Sequence, residues 1–366
     1  MNKVNNVFGQ ILQLFPRSEF IELVYETKSE KGSKGFSSWS QFVANMFCQL
    51  GGANSLREIC IGLASSAGKL IHLGLRKAPC RSTLSYANKH RPWELYEKLF
   101  YRLLDRTQSC FGGKHKFRFK NKLLSFDASI VELCIEVFDW AKFRKGKGAA
   151  KLHLLLDHSG YLPKYVHITD GKTHEVNVLK TIDIEPGTIV AMDRGLVDYG
   201  LFGKWTRKEI YFVTRLKENA DYKVLEKRKI PKNRNILRDE IIEFKGVTSK
   251  KKCPYPMRIV EAWSEEHQKS IILLTNHLQF GASTISSIYK DRWQIELFFK
   301  AIKQNLRIKT FIGTSKNAVM IQIWTALISI LILKYIKAKS KIGWSLSNLV
   351  AMLRYNLDLP PKYSPL

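Results

Sequence analysis

The stretch GTIVAMDRG (Gly187–Gly195) is a short continuous apolar run between two glycines, and it ends in an aspartate and an arginine. Such a run is typical of a β-strand that is buried on both faces, as in parallel sheets. In open α/β sheets, ligand-binding residues gather at the carboxyl ends of the strands. We therefore predict an α/β fold in which Asp193 lies at a functional edge of the sheet.

Strand-like segments lie on both sides of this run. Before it, KLLSFDASIVELCIEVF (Lys122–Phe138) is β-rich, and the segment Lys151–Asp170 is predicted to form a hairpin around His-Ser-Gly. After it, EIYFVTRL (Glu209–Leu216) is a further strand, and IIEFKG, MRIVEAW and SIILLTNH are strand-like. The middle of the chain is therefore predicted to be a sheet.

A second aspartate interrupts the first of these strands. Alternation along a strand places Leu124 and Phe126 on one face, and it places three polar residues on the other: Ser125, Asp127 and Ser129. A carboxylate beside a buried strand needs a charged partner, a set of hydrogen bonds or a metal ion. Asp127 is therefore a second candidate for chemistry.

Other acidic residues between these two aspartates are expected to be structural. Asp157 and Asp170 stand in D-H-S-G and T-D-G-K, where aspartate favours turns. Asp157 is the alternative metal ligand if a strand is misassigned. His174 and Glu175 are neighbours in sequence, but nothing places a nucleophile beside them.

A predicted helix over Ser283–Leu306 carries a narrow stripe of reactive side chains. At 100° per residue, four of them fall within an arc of about 60°: Tyr289, Arg292, Glu296 and Lys303. Asp291 projects elsewhere, so it is a poor ligand candidate. An exposed salt bridge between Arg292 and Glu296 would be an ordinary alternative explanation.

The charge of the chain points to a polyanionic partner. Of 366 residues, 60 are Lys or Arg and 32 are Asp or Glu, so the formal net charge is +28. Nucleic acid is the first candidate partner and an acidic membrane surface the second. Basic runs occur at Lys227–Arg238 and at Lys250–Lys252. The six cysteines form no CxxC pair, which argues against a zinc ribbon.

Three carboxylates together with a basic surface suit phosphoryl transfer. Two divalent ions can stabilise both the entering and the leaving oxygen of an in-line displacement, and Mg²⁺ prefers oxygen ligands. Asp127, Asp193 and Glu296 would supply those ligands. Arg292 and Lys303 would contact phosphates, and Tyr289 would hold the DNA backbone near the bond that is cut.

The two ends of the chain are predicted to be helical. In the N-terminal part, Ser55 and Glu58 form a predicted capping box, which starts a helix over Ser55–Leu75. The basic segment Lys77–Pro92 suits either a helix-turn-helix DNA reader or a solvated face of a helical bundle. Near the other end, Ala318–Leu333 is apolar but shorter than the ~20 residues of a membrane span, so we predict a buried core helix.

Several of these segments together resemble one protein family. YKDRWQIELFFKAIK (Tyr289–Lys303) matches the Y-x2-R-x3-E-x6-K signature of DDE transposases from bacterial insertion sequences at all four positions. SFDAS around Asp127 and AMDRG around Asp193 resemble the two aspartate motifs of that family. Leu154–Glu175 is similar to the segment between them, and the N-terminal region resembles the helical domain that often precedes the core.

The resemblance implies an RNase H-like mixed sheet with flanking helices, and carboxylates on its first strand, its fourth strand and a later helix. It also implies a β-rich insertion between Asp193 and Glu296. The expected domains are residues 1–112, a helical DNA-binding domain; 113–219, the first part of the catalytic core; 220–280, the insertion; 281–345, the helical second part of the core; and 346–366, a tail.

The implied activity is cleavage of the ends of an insertion sequence and their joining to target DNA. This activity requires two Mg²⁺ ions per site, for which Mn²⁺ would substitute. The reaction follows a cut-and-paste route, and in one version of that route a DNA hairpin is an intermediate. The partners would be terminal inverted repeats, target DNA and a second subunit in a synaptic homodimer. No apolar leader follows Met1, so we expect a bacterial cytoplasmic protein on the nucleoid and no membrane. A structure-specific nuclease on the same core and an inactive DNA-binding descendant of a transposase are the alternatives.

Overall fold

A computed structural model describes residues 6–66, 68–111, 116–133, 142–144, 147–232, 235–265, 268–306, 308, 313–340 and 343–357. The chain divides into two compact units. The first comprises residues 1–112, 131–149 and 299–366, and the second comprises residues 113–130 and 150–298.

The first unit begins with six helices: α1 (Val7–Leu12), α2 (Arg17–Thr27), α3 (Ser38–Gly51), α4 (Leu56–Ser65), α5 (Arg81–His90) and α6 (Glu94–Gln108). The capping box that starts α4 is confirmed, because Ser55 Oγ accepts a hydrogen bond of 3.1 Å from Glu58 N. The predicted helix Ser55–Leu75 is too long. It ends at Ser65, since Gly68 adopts a φ of +79° that a helix cannot contain, and a short 3₁₀ turn follows at Leu70–Leu73.

The middle of the chain alternates strands and helices. The elements are β1 (Leu123–Leu133), β2 (Lys142–Arg144), β3 (Lys147–Asp157), β4 (Leu162–Asp170), α7 (Glu175–Thr181), β5 (Ile189–Met192), α8 (Tyr199–Arg207), β6 (Tyr211–Arg215), β7 (Tyr222–Lys227), β8 (Ile236–Phe244), α9 (Val247–Lys252), β9 (Met257–Ser264), β10 (Lys269–Thr275), α10 (Ala282–Asp291) and α11 (Trp293–Asn305). The predicted hairpin is confirmed as the antiparallel pair β3 and β4. The part of the β-rich prediction beyond Leu133, from Cys134 to Phe138, lies outside the described residues.

The strands form one mixed sheet in the order β4-β3-β1-β5-β6-β10-β9-β8-β7, and β2 pairs with the start of β3. Strands β1, β5 and β6 are parallel to one another. From β6 onward, each pairing through β10, β9, β8 and β7 is antiparallel. The predicted α/β fold with a mixed sheet and flanking helices is therefore confirmed. The segment expected to be a β-rich insertion supplies the four strands β7–β10, which continue the same sheet.

Alternation along β5 explains why this sheet carries helices on both faces. Val190 and Met192 belong to an apolar cluster that also contains Phe202 of α8. Ile189 and Ala191 belong to a second cluster, which contains apolar residues of α10. Each of these four β5 residues is at most 1% exposed, so the prediction of a strand buried on both faces is confirmed.

Two more helices, α12 (Lys316–Lys339) and α13 (Leu346–Asn356), complete the first unit. By length and composition α12 could cross a membrane, but 83% of its most apolar window is buried inside the protein. Its side chains pack against α3, α5, α6 and α13. The hydroxyls of Thr325 and Ser329 donate to the helix backbone at Ile321 O and Thr325 O, so burial leaves them satisfied. The helix is thus the core helix that the sequence predicted.

Candidate active site

The two strand aspartates occupy matching positions on neighbouring parallel strands. Phe126 of β1 is the register partner of Met192 of β5, and each is followed directly by an aspartate. Adjacent strands of a sheet lie about 4.8 Å apart. The pairing therefore places the backbones of Asp127 and Asp193 next to each other at the point where β5 ends, although 66 positions separate them in the sequence.

The Asp193 side chain also shapes the turn that follows β5. Its Oδ2 accepts a hydrogen bond of 3.3 Å from Gly195 N, and it caps the short 3₁₀ turn Arg194–Leu196. Arg194 points to a different partner, since its guanidinium pairs with Glu218. The carboxylate is half-buried, and the turn holds it at the end of the strand.

Asp127 lies in a setting that disfavours its charge. Its Oδ1 accepts a hydrogen bond of 2.8 Å from Ala128 N. Burial raises the pKa of the Asp127 carboxyl to about 6; the Ala128 hydrogen bond and the charge of Arg292 oppose that shift, whereas Glu175 and Glu296 add to it. A carboxyl group with this pKa gains from any further positive charge placed beside it.

The predicted stripe of Tyr289, Arg292, Glu296 and Lys303 does not lie on one helix. It begins on α10 and continues on α11, with a break between them. Arg292 stands at the break, where its N–H is shared between Tyr289 O at 3.2 Å and Ile288 O at 3.3 Å, and Ile295 N donates to Arg292 O at 3.1 Å. The two i to i−3 bonds tighten the turn, so the prediction of one continuous helix over Ser283–Leu306 is corrected to two helices. Arg292 Nη2 donates to Glu296 Oε1 at 2.7 Å.

Arg292 is a buried cation that interacts with two of the carboxylates, Asp127 and Glu296. It is 9% exposed, and its Nε has no hydrogen-bond partner among the described residues. Burial alone would lower the pKa of the guanidinium, but the Glu296 hydrogen bond and the charges of Tyr289, Glu296 and Asp127 raise it overall. Arg292 therefore stays charged, and it interacts with both Glu296 and Asp127.

Tyr289 presents its ring to the same arginine. The Arg292 guanidinium carbon is 5.5 Å from the centroid of the Tyr289 ring. Burial raises the pKa of the Tyr289 hydroxyl; Asp193 adds to the shift, and Arg292 and Arg215 oppose it. Pairwise interactions through Arg292 and Tyr289 thus connect five of the six predicted residues. Lys303 lies in the last turn of α11, in the part of that helix that belongs to the first unit, and its role stays a prediction.

The donor set suits a hard divalent cation, because Asp127, Asp193 and Glu296 offer only carboxylate oxygens. The three side chains are not assembled into a finished cage. Across the described parts of the chain, no three His, Cys, Asp or Glu side chains converge closely enough to hold a metal ion. Glu296 instead pairs with Arg292. Metal ligation by these residues stays a prediction.

A cleft of about 740 Å³ opens beside Tyr289 and Arg292. Its walls carry cations that the sequence analysis did not single out: Lys116, Arg215, Lys269 and Lys290. Trp263 and Trp293 also line it and are 40% and 55% exposed. The lysines and Arg215 come from separate segments, so no short sequence window could have revealed that they share one cleft.

The turn aspartates behave as predicted. Asp157 Oδ1 accepts a hydrogen bond of 2.8 Å from Ser159 N. Asp170 Oδ1 accepts hydrogen bonds from the backbone of Lys172 and of Thr173. Both side chains therefore stabilise turns next to β3 and β4.

The helix projection did not predict the burial of Asp291. Asp291, which the helix projection set aside, is 2% exposed and accepts a hydrogen bond from His158. The histidine stands in the D-H-S-G turn, far from Asp291 in the sequence. The sequence carries only a weak signal for this pair. His158 follows an apolar strand, and Asp291 stands inside the helix signature.

Most of the chain is similar to known proteins or protein families. Residues 118–332, more than half of it, match the family described as transposase DDE domain. Residues 3–76 match a domain of unknown function, DUF4372. The protein y4zB of Sinorhizobium fredii, whose name describes it as a transposase, is 31% identical over 264 residues, which cover 70% of this chain and 71% of y4zB.

Two further relatives carry names that refer to insertion sequences. A Geobacillus stearothermophilus protein named as a transposase for the element IS5377 is 24% identical and covers 71% of this chain and 68% of its own length. A Synechocystis protein named as a transposase for IS4SA is 27% identical and covers 75% of this chain and 76% of its own length. The family match and the similarity to y4zB confirm what the sequence motifs predicted: the chain belongs to the DDE transposases.

Proposed function

We propose that this transposase cleaves the ends of its own insertion sequence and joins them to target DNA, with Asp127, Asp193 and Glu296 as ligands of divalent metal ions. The observation that carries the proposal is the placement of the two aspartates after the register pair Phe126 and Met192. Aspartates on neighbouring strands would offer carboxylate oxygens to the same metal ions, which metal-assisted phosphoryl transfer requires.

Mg²⁺ is the cation that fits these ligands best, because it takes oxygen donors and completes its shell with substrate phosphates and water. When bound, such ions make a water or a 3′-hydroxyl nucleophilic and neutralise charge on the leaving oxygen. The desolvated carboxyl of Asp127, whose pKa is about 6, is stabilised as an anion by a cation beside it. Mn²⁺ accepts the same donors and would substitute.

The remaining residues of the site act on the DNA itself. Arg292 is charged and buried, so it would hold a phosphate close to the carboxylates, in competition with Glu296. Tyr289 would place its ring and hydroxyl against the sugar-phosphate backbone. Lys303 would contact a phosphate of the DNA. These groups bind and orient the scissile phosphate and exclude loosely placed water.

The wider surface would supply affinity that does not depend on DNA sequence. The net charge of the chain is +28. When its lysines and arginines neutralise DNA phosphates, the counterions condensed on the DNA are released, and this release favours binding. The cleft cations and the basic runs at Lys227–Arg238 and Lys250–Lys252 are candidates for these contacts, and the N-terminal helices are candidates for recognition of the terminal repeats. Pairing of two ends would require a homodimer, and the work would take place on the bacterial nucleoid.

Excision of the element is the activity to test. The gene with its native flanking DNA is placed on a plasmid, and excision and joining are scored for the wild type and for Asp193→Asn, with Asp183→Asn as an exposed control. We expect excised and rejoined products from the wild type and the control only. Cleavage of branched DNA without end specificity would favour a junction nuclease. Binding without any cleavage would favour an inactive DNA-binding descendant. Either result would overturn the proposal.

A further inference from the structure

A chain of hydrogen bonds connects three buried side chains of the second unit. His158 Nε2 lies 2.7 Å from Ser125 Oγ, and His158 Nδ1 lies 2.6 Å from Asp291 Oδ2. Ser125 is 0% exposed, His158 is 9% exposed and Asp291 is 2% exposed. The backbone of His158 also donates to Leu123 O at 3.1 Å, which fixes the turn against β1.

The direction of the hydrogen bonds follows from the state of Asp291. Burial alone would raise the pKa of this carboxyl, but the hydrogen bonds and charges of His158 and Lys116 lower it overall. The carboxylate therefore accepts, and His158 Nδ1 carries the proton and donates it. Lys116 Nζ donates to Oδ1, and the Tyr161 hydroxyl donates to Oδ2 at 3.3 Å.

The same three residue types form the nucleophile–base–orienter set of many hydrolases. That role is excluded here by burial. Ser125 lies within β1, where it is the register partner of Ala191 on β5, and no part of it reaches the surface. A substrate carbonyl could not approach its hydroxyl.

The ends of this chain of hydrogen bonds lie next to the site. Ser125 precedes Asp127 by two residues on β1, so the two side chains project from the same face of the strand. Asp291 directly precedes Arg292 at the junction of α10 and α11. The chain of hydrogen bonds therefore spans from the strand of one carboxylate to the helix break that carries the cation.

We propose that His158 and Asp291 are positioning residues, which hold the junction of α10 and α11 against β1 and so set the placement of Arg292 and Glu296 relative to Asp127. This inference rests on the proposed DNA cleavage. Neither residue would touch DNA. Residues that orient the ligands of a metal site commonly affect activity by about 10- to 100-fold when they are removed.

The kinetic test uses the full chain and duplex DNA that carries the native element end. His158→Ala, His158→Asn and Asp291→Ala are compared with the exposed control Asp183→Ala. DNA binding is measured in Ca²⁺, and cleavage is measured at saturating DNA in Mg²⁺ and in Mn²⁺. The asparagine variant is included because its amide can replace the Nδ1–H donor to Asp291.

For the two alanine variants we expect cleavage in Mg²⁺ to fall about 10- to 100-fold, with DNA affinity unchanged. The loss should be smaller in Mn²⁺, since Mg²⁺ demands the stricter coordination geometry. His158→Asn should recover part of the rate. Wild-type cleavage rates in the alanine variants, or a loss of DNA binding in step with the loss of cleavage, would overturn the positioning role.

A second readout does not depend on activity. In the metal-free protein, the hydrogen-bonded and buried Nδ1–H of His158 should give an imidazole proton signal that exchanges slowly with water. It should vanish in His158→Asn and in Asp291→Ala. Its absence from the wild type would refute the hydrogen-bond network. A wild type that shows the signal but does not cleave DNA would contradict the proposed function, and with it the positioning role, while leaving the network itself established.

Discussion

Asp127 and Asp193 occupy equivalent positions on two adjacent parallel strands, one residue beyond the register pair of β1 and β5. This relationship comes from the backbone pairing of the sheet and does not depend on side-chain rotamers. It makes the backbone positions of the two aspartates the most firmly placed part of the candidate site. Glu296 depends on a helix and on its hydrogen bond with Arg292, so its placement can respond to bound DNA or metal.

Replacing Asp127 by asparagine should abolish strand cleavage but not DNA binding. Asn keeps the shape of the side chain and removes the anionic ligand. The loss of a metal ligand withdraws several kcal/mol of transition-state stabilisation, which corresponds to a rate decrease of about 10³-fold or more. Cleavage of a labelled element end at saturating protein is the measurement, and Asp183→Asn is the control. Retention of more than a tenth of the wild-type rate would speak against a ligand role.

Replacing Arg292 by lysine should slow cleavage by about 10- to 100-fold, even though the charge is conserved. A lysine cannot present the planar fork that bonds Glu296 Oε1 at 2.7 Å while it lies near the Tyr289 ring. The rate at saturating DNA is compared with that of Lys300→Ala, an exposed cation on α11. Equal rates for Arg292→Lys and the wild type would show that only the charge matters.

His153 should make the stability of the fold depend on pH. It is 0% exposed on β3, and its Nε2 lies 2.9 Å from Thr169 Oγ1. Burial, with the charges of Lys151 and His167, lowers its pKa to about 4, from 6.5. Between these two values the unfolded chain binds a proton that the folded chain does not, so stability is lost as the pH falls from 6.5 to 4.

The matched variant is His153→Gln, which keeps a hydrogen-bonding group but cannot be protonated. The free energy of unfolding of the wild type relative to this variant should fall by on the order of 3 kcal/mol between pH 6.5 and pH 4. Above about pH 7.5, where the unfolded chain is also unprotonated at this residue, the difference should be constant. Urea unfolding at a series of pH values measures it, and a difference that stays flat below pH 6.5 would refute the burial of a neutral His153.

Gly203 marks a close approach between α8 and α9. A Cβ at this position would collide with the backbone carbonyl of Lys252, which cannot rotate away. Gly203→Ala should therefore reduce the free energy of unfolding by about 1–3 kcal/mol, despite the better helix propensity of alanine. Lys204→Ala, exposed on the next position of α8, should change it by less than about 0.5 kcal/mol. Equal stabilities of the two variants would contradict this packing.

Much of the sheet was predictable because its strands carry local patterns. The run that becomes β5 is apolar throughout, since both faces of the strand are covered. The alternation around Asp127 separates Leu124 and Phe126, which are buried in the core, from the polar face. The capping box at Ser55 and Glu58 is likewise local. Patterns of this kind need no knowledge of distant residues.

The parts that were missed depend on distant partners. A helical projection treats residues 283–306 as one continuous helix, and the tight turn at Arg292 breaks that assumption. The buried Asp291 has its hydrogen-bond partner in His158, and 133 positions separate the two residues. The cleft cations likewise converge from segments that are far apart in sequence. No spacing rule within a single segment encodes such contacts.

The most direct test of the account replaces Asp193 by cysteine and measures cleavage of the element end in Mg²⁺ and in Mn²⁺. A thiolate is a poor ligand for Mg²⁺ and a better one for Mn²⁺. If Asp193 holds the metal, Asp193→Cys should be inactive in Mg²⁺ and should regain measurable cleavage in Mn²⁺, whereas Asp183→Cys should cleave with either ion. Undiminished cleavage by Asp193→Cys in Mg²⁺ would contradict the claim that this aspartate is a metal ligand.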